Sequence, residues 1–155
     1  MIGDPNGEFI IVDPAVRYRE DMESLADAVQ RHNGEPIAIA FTHSHGDHLA
    51  DMGLLSEAFD LPVWGSEYTS RSVDCDRILV DGEILQLGNQ AWQILITPGH
   101  HPGHTCFLSD AGLVAGDMLA GFGTILIPPA TGDMEVYLEQ LERLKNMQPH
   151  LAFPS

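Results

Sequence analysis

The sequence predicts a mixed α/β fold in one domain. The chain has 155 residues, and folded domains usually contain roughly 100–200 residues, so one folding unit is expected. Hydrophobic residues make up 44% of the chain and charged residues 19%, which is enough apolar material for a core. The N-terminal part alternates strand-like apolar runs with amphipathic helical patterns, and the middle part contains short strands separated by turn signals.

Two strand–helix units are predicted in the N-terminal part. Glu8–Asp13 is a short apolar run that ends in an Asp-Pro turn, and Pro36–Phe41 is a second run of this kind. Between them, apolar residues recur at helical spacing over 22–29, and Asn33-Gly34 ends that helix. Leu49–Phe59 predicts a second helix. This alternation is typical of a parallel sheet.

The middle of the chain predicts antiparallel strands. The runs Arg77–Val80, Ile84–Leu87 and Ala91–Thr97 are separated by Asp-Gly and Gly-Asn turn signals. Thr105–Ser109 and Leu113–Ala115 form a further pair around a glycine turn. We therefore expect a second, antiparallel section beside the parallel one.

The C-terminal part predicts one more helix, over Met134–Met147. Its apolar stripe comprises Leu138, Leu141, Leu144 and Met147. Since these residues recur at helical spacing, we expect all four to pack in the core. The run Leu151–Phe153 is strand-like.

The charge of the chain is strongly acidic. It carries 23 Asp and Glu against 7 Lys and Arg, a formal net charge of −16. A nucleic acid or an anionic membrane usually binds clustered cations, so both are disfavoured and a small-molecule substrate is expected. The eight histidines outnumber the permanent cations. Neutral imidazole is the commonest protein ligand for transition metals, so the histidines are candidate metal ligands.

The compartment is predicted from what the sequence lacks. The N-terminal segment shows no basic stretch followed by an apolar one, as a signal peptide would, and no apolar run reaches the length of a membrane span. Cys75 and Cys106 form no C-x-x-C pair and are interpreted as ordinary reduced thiols. We therefore expect a cytoplasmic protein. Its oligomeric state is left open.

The segment after the strand Pro36–Phe41 is rich in metal-ligand residues. His43 and His45 alternate in an extended stretch, so both side chains can reach one ion. Gly46 allows a sharp turn, after which Asp47 and His48 can swing toward a neighbouring position. One loop could thus provide ligands for two metal ions.

Two further segments place ligand residues at strand ends. Thr97–His104 follows an apolar strand, contains two Pro-Gly elements and includes His100. Gly116-Asp117 follows the run Leu113–Ala115. Binding sites in open α/β sheets favour the carboxyl ends of strands, so His100 and Asp117 are expected near the first segment.

These three segments, in this order, resemble the metal motifs of the metallo-β-lactamase superfamily, and the resemblance covers essentially the whole chain. It implies a four-layer αββα sandwich. Gly116–Leu126 resembles the glyoxalase-II-like and endoribonuclease-containing β-lactamase-like branches more than true β-lactamases. The resemblance assigns two groups of ligands with one residue shared. The first metal takes His43, His45 and His100, the second takes Asp47 and His48, and Asp117 bridges them. Two divalent ions are implied, zinc first, with iron and manganese also suited to a His/Asp set.

The chain departs from the family pattern at both ends. The superfamily usually has further strands before Glu8–Asp13 and a late histidine ligand in a P-x-H-G segment, whereas this sequence ends at Pro154-Ser155. We therefore expect residues 1–155 to be a single but incomplete domain. His150 is a poor substitute for the late ligand, and the resemblance puts His104 near the metal without binding it. His101 and His32 are interpreted as ordinary loop and helix-end residues.

The resemblance implies a metal-dependent hydrolase that uses a metal-bridging hydroxide on a small ester, thioester or lactone, in the manner of hydroxyacylglutathione hydrolase. Asp47 would orient the nucleophile or relay its proton. One alternative is a phosphodiesterase or endoribonuclease of the same superfamily, although the chain has few cations for a phosphate track. Another is a non-catalytic metal-binding domain with a degraded second site. Structural zinc sites are usually rich in cysteine, so the His/Asp ligands favour catalysis.

Overall fold

The computed structural model describes all residues from Met1 to Ser155. It contains ten strands, three α-helices and one 3-10 turn, Thr69–Arg71. The strands are β1 (Ile2–Gly3), β2 (Glu8–Val12), β3 (Glu35–Ala40), β4 (Val63–Ser66), β5 (Arg77–Leu79), β6 (Ile84–Leu87), β7 (Gln90–Ile96), β8 (Thr105–Ser109), β9 (Gly112–Gly116) and β10 (Ala152–Pro154). The helices are α1 (Arg19–Arg31), α2 (Met52–Ala58) and α3 (Met134–Asn146). None of these helices combines the length and apolar character needed to cross a membrane.

The first sheet has the order β1-β2-β3-β4-β5. Strands β2 to β5 are parallel, and only β1 is antiparallel to its neighbour. The predicted parallel strand–helix units are therefore confirmed. The assignment of Arg77–Val80 to the antiparallel section was wrong, because β5 pairs in parallel with β4. A short strand pattern does not indicate which sheet edge it joins, and β4, with its central Gly65, was not predicted as a strand.

The second sheet has the order β10-β9-β8-β7-β6. Strands β6 to β9 pair antiparallel, as predicted, and β10 adds a parallel edge to β9. Since β7 and β9 run in the same direction, their carboxyl ends lie at the same edge of this sheet.

Three apolar clusters hold the elements in four layers. One fills the space between the two sheets and includes Ile10, Trp92 and Phe107. A second joins the outer face of the first sheet to α1 and α2, and a third joins the outer face of the second sheet to α3. Each sheet thus buries both faces, and the predicted αββα sandwich is confirmed.

The packing of α3 differs from the prediction. Leu144 is 4% exposed, whereas Leu138 is 57% exposed and Met147 is 36% exposed. The helix lies against one face of the second sheet with no further layer outside it, so only the central part of its apolar stripe reaches the core.

The two sheets meet at the edge where the ligand-rich segments lie. The backbone N–H of Thr105, the first residue of β8, donates to the carbonyl of Thr42, which follows β3, at 2.8 Å. This bond joins the second sheet to the segment that carries His43. The segments after β2, β3, β7 and β9 therefore converge on one rim.

Candidate metal centre

Four predicted ligand residues form one cluster at this rim. The ligand atoms of His43, His45, His100 and Asp117 all lie within 4.8 Å of one another. Nε2 of His43 is 3.0 Å from Nδ1 of His45 and 3.2 Å from Nε2 of His100. Oδ2 of Asp117 is 3.2 Å from Nε2 of His100. His43 and His100 are almost fully buried.

The hydrogen bond on the far side of His43 fixes the tautomer of its ring. The Thr42 hydroxyl donates to Oδ2 of Asp13 at 2.6 Å, so its oxygen is free to accept from Nδ1–H of His43, 3.0 Å away. A neutral imidazole carries one N–H only. Nε2 of His43 therefore presents a lone pair to the cluster.

His100 is oriented in the same way. Its Nδ1 lies 2.7 Å from the carbonyl oxygen of Leu126, which can only accept, so Nδ1 carries a proton, and Nε2 of the neutral ring carries a lone pair. This lone pair faces both Nε2 of His43 and the carboxylate of Asp117. One N–H from His45 can satisfy only one of these contacts. Acceptors that face acceptors at about 3 Å are stable only when a shared cation lies among them.

The electrostatics of the cluster favour the neutral form of His43 and His45. Burial, and then the neighbouring His48 and His104, hold the pKa of His43 well below its ordinary value. Burial and the neighbouring His100 lower the pKa of His45. Neutral imidazole is the form that binds a metal ion, so no proton has to leave these two rings at neutral pH.

His48 lies between two carboxylates. Its Nδ1 is 2.9 Å from Oδ2 of Asp13, and its Nε2 is 3.1 Å from Oδ1 of Asp117. Burial opposes protonation of His48, but the hydrogen bonds to Asp117 and Asp13 outweigh it and raise its pKa to about 10. Burial likewise acts to raise the pKa of Asp117, but hydrogen bonds from His48 and Ser155 hold it below its usual range. These contacts favour the protonated form of His48 between the two carboxylates in the metal-free protein.

Asp13 is the site residue that the sequence did not reveal. It follows β2 with a φ of +44°, and its carboxylate accepts from the Thr42 backbone N–H, the Thr42 hydroxyl and His48. Asp13 therefore orients both His48 and, through Thr42, His43. The available signal was an aspartate at the end of a buried strand parallel to the strand that carries the histidines.

Asp47 lies apart from the cluster. Its side chain is exposed and makes no hydrogen bond with another residue. It lines a cavity of about 680 Å³ together with His45, His48, His100 and Asp117. The carboxylate is therefore at the open side of the cluster, where a substrate would approach.

The remaining histidines have separate places. His104 is fully buried, with Nδ1 2.8 Å from the Thr97 hydroxyl and Nε2 accepting from the backbone N–H of Asp117 at 3.0 Å. It supports the predicted ligand Asp117 without facing the cluster. His101 is buried in its loop beside Ser44, and His150 is exposed beyond α3.

The family of the chain follows from a match over its whole length. A family model of the metallo-beta-lactamase superfamily matches residues 1–155. The chain belongs to the metallo-beta-lactamase superfamily. The sequence resemblance to this superfamily is therefore confirmed.

Solved structures of this superfamily superpose on the chain. ETHE1 from Myxococcus xanthus is 24% identical, with a TM-score of 0.82 over 99% of this chain and 67% of that chain. BLEG-1 B3 metallo-beta-lactamase is 23% identical, with a TM-score of 0.72 over 92% of this chain and 76% of that one. TTHA1623, solved in a di-iron-bound form, is 27% identical, with a TM-score of 0.74 over 93% and 79%. The chain thus spans 67% to 79% of the length of these three neighbours. The likeness to the first two shows the shared fold.

Of the six residues that resemble superfamily ligands, four lie in the cluster and two lie beside it. His43, His45, His100 and Asp117 form the cluster. His48 contacts Asp117 but is turned toward Asp13 on its other side. Asp47 makes no hydrogen bond or ion pair with any of them. A superfamily member with this arrangement has one compact group of donors and two more potential ligands beside it.

Proposed function

We propose that the protein is a metal-dependent hydrolase that acts on a small ester, thioester or lactone. The observation that carries the proposal is the pair of Nε2 atoms of His43 and His100, which face each other at 3.2 Å. Their outer nitrogens are occupied by Thr42 and Leu126, so neither ring can turn its proton inward without losing a hydrogen bond. This donor set fits a divalent metal ion.

The assignment of ligands follows the cluster. His43, His45 and His100 would hold the first ion, and Asp47 and His48 would hold the second, with Asp117 shared. When bound, the two ions would lower the pKa of a coordinated water to about 7 and polarise the substrate oxygen. Zinc suits this set first, and iron and manganese also suit it. TTHA1623, which is 27% identical to the chain and was solved in a di-iron-bound form, supports a two-ion site and supports iron as an alternative to zinc.

The residues of the chain would orient the reacting groups. Asp13 holds the His48 ring through Nδ1, which leaves Nε2 directed at the shared Asp117. The backbone N–H of Asp117 is held by His104. Asp47, exposed at the cavity and free of hydrogen bonds, would accept the proton of the attacking water or orient it. We therefore assign Asp47 the catalytic role.

The substrate class follows from charge and space. A cavity of about 680 Å³ accommodates a small molecule. The side chains that line it include no lysine or arginine, and the net charge of the chain is −16. Recognition of a nucleic-acid backbone relies on such cations, so an ester, thioester or lactone is preferred to a phosphodiester.

The proposal includes a cytoplasmic location. Cys75 and Cys106 are both free, and Cys106 is fully buried. Free thiols of this kind persist in a reducing compartment.

The test is a substrate panel with the metal-loaded protein. Thioesters, carboxylic esters, lactones and a short RNA would be compared for the wild type and for Asp47→Ala. We expect turnover of at least one of the first three classes, none of the RNA, and loss of that turnover in Asp47→Ala. Cleavage of RNA alone would replace the proposed substrate class with a phosphodiester. Absence of turnover in a protein that holds two ions would refute the hydrolase.

A further inference from the structure

An uncharged segment between β9 and α3 forms one wall of the 680 Å³ cavity beside the His/Asp cluster. We call residues 120–128 the apolar wall. Its cavity-lining residues are Ala120, Phe122, Thr124, Ile125, Leu126 and Pro128. No charged side chain occurs between Asp117 and Asp133, in a chain that is 19% charged and has a net charge of −16. The same cavity is also lined by the histidine and aspartate side chains.

The apolar wall exposes large side chains to solvent. Phe122 is 100% exposed and Leu126 is 71% exposed. A single exposed apolar residue has no particular meaning, but an exposed apolar surface that lines a polar cleft is typical of a ligand-binding groove. Phe122 has no packing role that would explain an aromatic ring at this position.

Hydrogen bonds connect the apolar wall to the loop that carries His100. Nδ1–H of His100 donates to the carbonyl of Leu126 at 2.7 Å. At the far end of the loop, the backbone N–H of Asp133 donates to the carbonyl of Gly99, next to His100, at 2.7 Å. Gly123 has a φ of +80°, which turns the chain directly after Phe122 and leaves that ring at the tip of the wall. Phe122 is thus presented beside the ligands by a segment whose other end is fixed.

We propose that Phe122 determines specificity by contacting an apolar acyl or alkyl group of the substrate, while the reacting carbonyl lies over the His/Asp cluster. The inference rests on the proposed function and narrows its substrate class to esters or thioesters with an uncharged, apolar acyl part. Packing of such a group on the Phe122 ring removes apolar surface of both from water. A substrate with a charged acyl part gains nothing from this contact.

The experiment measures binding without turnover. Zinc-loaded wild type, Phe122→Ala and Phe122→Leu would be titrated calorimetrically with straight-chain hydroxamates from acetohydroxamate to octanohydroxamate. We expect wild-type affinity to rise roughly two- to fourfold per added methylene. Phe122→Ala should lose at least tenfold in affinity for the longest chain while acetohydroxamate binds unchanged, and Phe122→Leu should lie between. A hydroxamate of equal length that ends in a carboxylate should show no gain.

The control is Leu138→Ala, which removes another exposed apolar side chain, from α3 and away from the cavity. It should bind every hydroxamate as the wild type does. Wild-type affinity that does not rise with chain length, or a rise that survives Phe122→Ala, would overturn the inference. Because acetohydroxamate reports the metal site by itself and turnover is assayed separately, failure of the hydrolase proposal is distinguished from failure of the Phe122 contact.

Discussion

Asp13 and His48 lie 35 positions apart in the chain, yet Oδ2 of Asp13 is 2.9 Å from Nδ1 of His48. The pairing of β2 with β3 creates this contact, because it brings the residues that follow both strands to the same edge. The same carboxylate accepts from the backbone and hydroxyl of Thr42, which in turn contacts His43. One partly buried aspartate therefore orients a residue from each of the two proposed ligand groups.

Asp13→Asn should weaken metal binding. Asparagine tolerates the φ of +44° at this position and keeps one oxygen acceptor, but it removes the charge that faces His48. We expect zinc affinity to fall about 10- to 100-fold, the usual effect of removing a partner that orients a ligand. Competitive zinc titration with a chromophoric chelator measures this change. Asp4→Asn is the matched control, since Asp4 also accepts backbone hydrogen bonds but lies far along the sheet edge at Asn89. Equal zinc affinity in the two variants would contradict the role of Asp13.

The stability of the metal-free protein should depend on the charge of His48. Its pKa is raised to about 10 from an ordinary value of 6.5. The folded state therefore binds this proton more tightly than the unfolded state does, and the stabilisation is complete below pH 6.5 and lost as the pH rises toward 10.

Urea unfolding at pH 7 and pH 9.5, after chelator treatment, measures the effect. Over this pH range, the unfolding free energy of the wild type should fall by roughly 2–4 kcal/mol more than that of His48→Gln, which cannot carry the charge. The difference between the two proteins removes the contribution of other groups that titrate in the same range. Parallel loss in both proteins would show that His48 is not the charged group.

Asp47→Asn should impair turnover without affecting the fold. The side chain is exposed and makes no hydrogen bond, so the unfolding free energy should change by less than about 0.5 kcal/mol. If Asp47 moves or orients the proton of the attacking water, kcat should fall about 10²- to 10⁴-fold. Steady-state kinetics on the best substrate of the panel tests this. Asp60→Asn removes the same charge beyond α2 and should have wild-type kinetics. Retention of kcat in Asp47→Asn would transfer the catalytic role to another residue.

His104→Ala should destabilise the protein and leave the metal count unchanged. The ring is fully buried between the Thr97 hydroxyl and the Asp117 backbone, so its loss leaves a buried donor unpaired beside a cavity. We expect a loss of about 2–4 kcal/mol in unfolding free energy. Urea unfolding together with metal analysis separates the two effects. A protein of normal stability that has lost an ion would make His104 a ligand.

Much of the site was predictable because its residues follow strand ends. His43, His100 and Asp117 each lie within about four residues of the end of a strand, and strands that run in one direction bring their ends to one edge. The hydrogen bonds that orient these ligands were not predictable, since the Asp13–His48 contact depends on which strands are neighbours. The sheet assignment of Arg77–Val80 failed for the same reason, because local periodicity defines a strand but not its partner. The exposure of Leu138 reflects the absence of a layer outside α3, which helical spacing does not encode.

The most direct test of the account is a zinc titration of chelator-treated protein by calorimetry, with wild type, His100→Ala and His150→Ala compared. His100 is proposed as a ligand, and His150 is an exposed histidine outside the cluster. We expect up to two ions per chain in the wild type and in His150→Ala, and loss of the tighter site in His100→Ala. Equal zinc binding by all three proteins, or no zinc binding by the wild type, would contradict it.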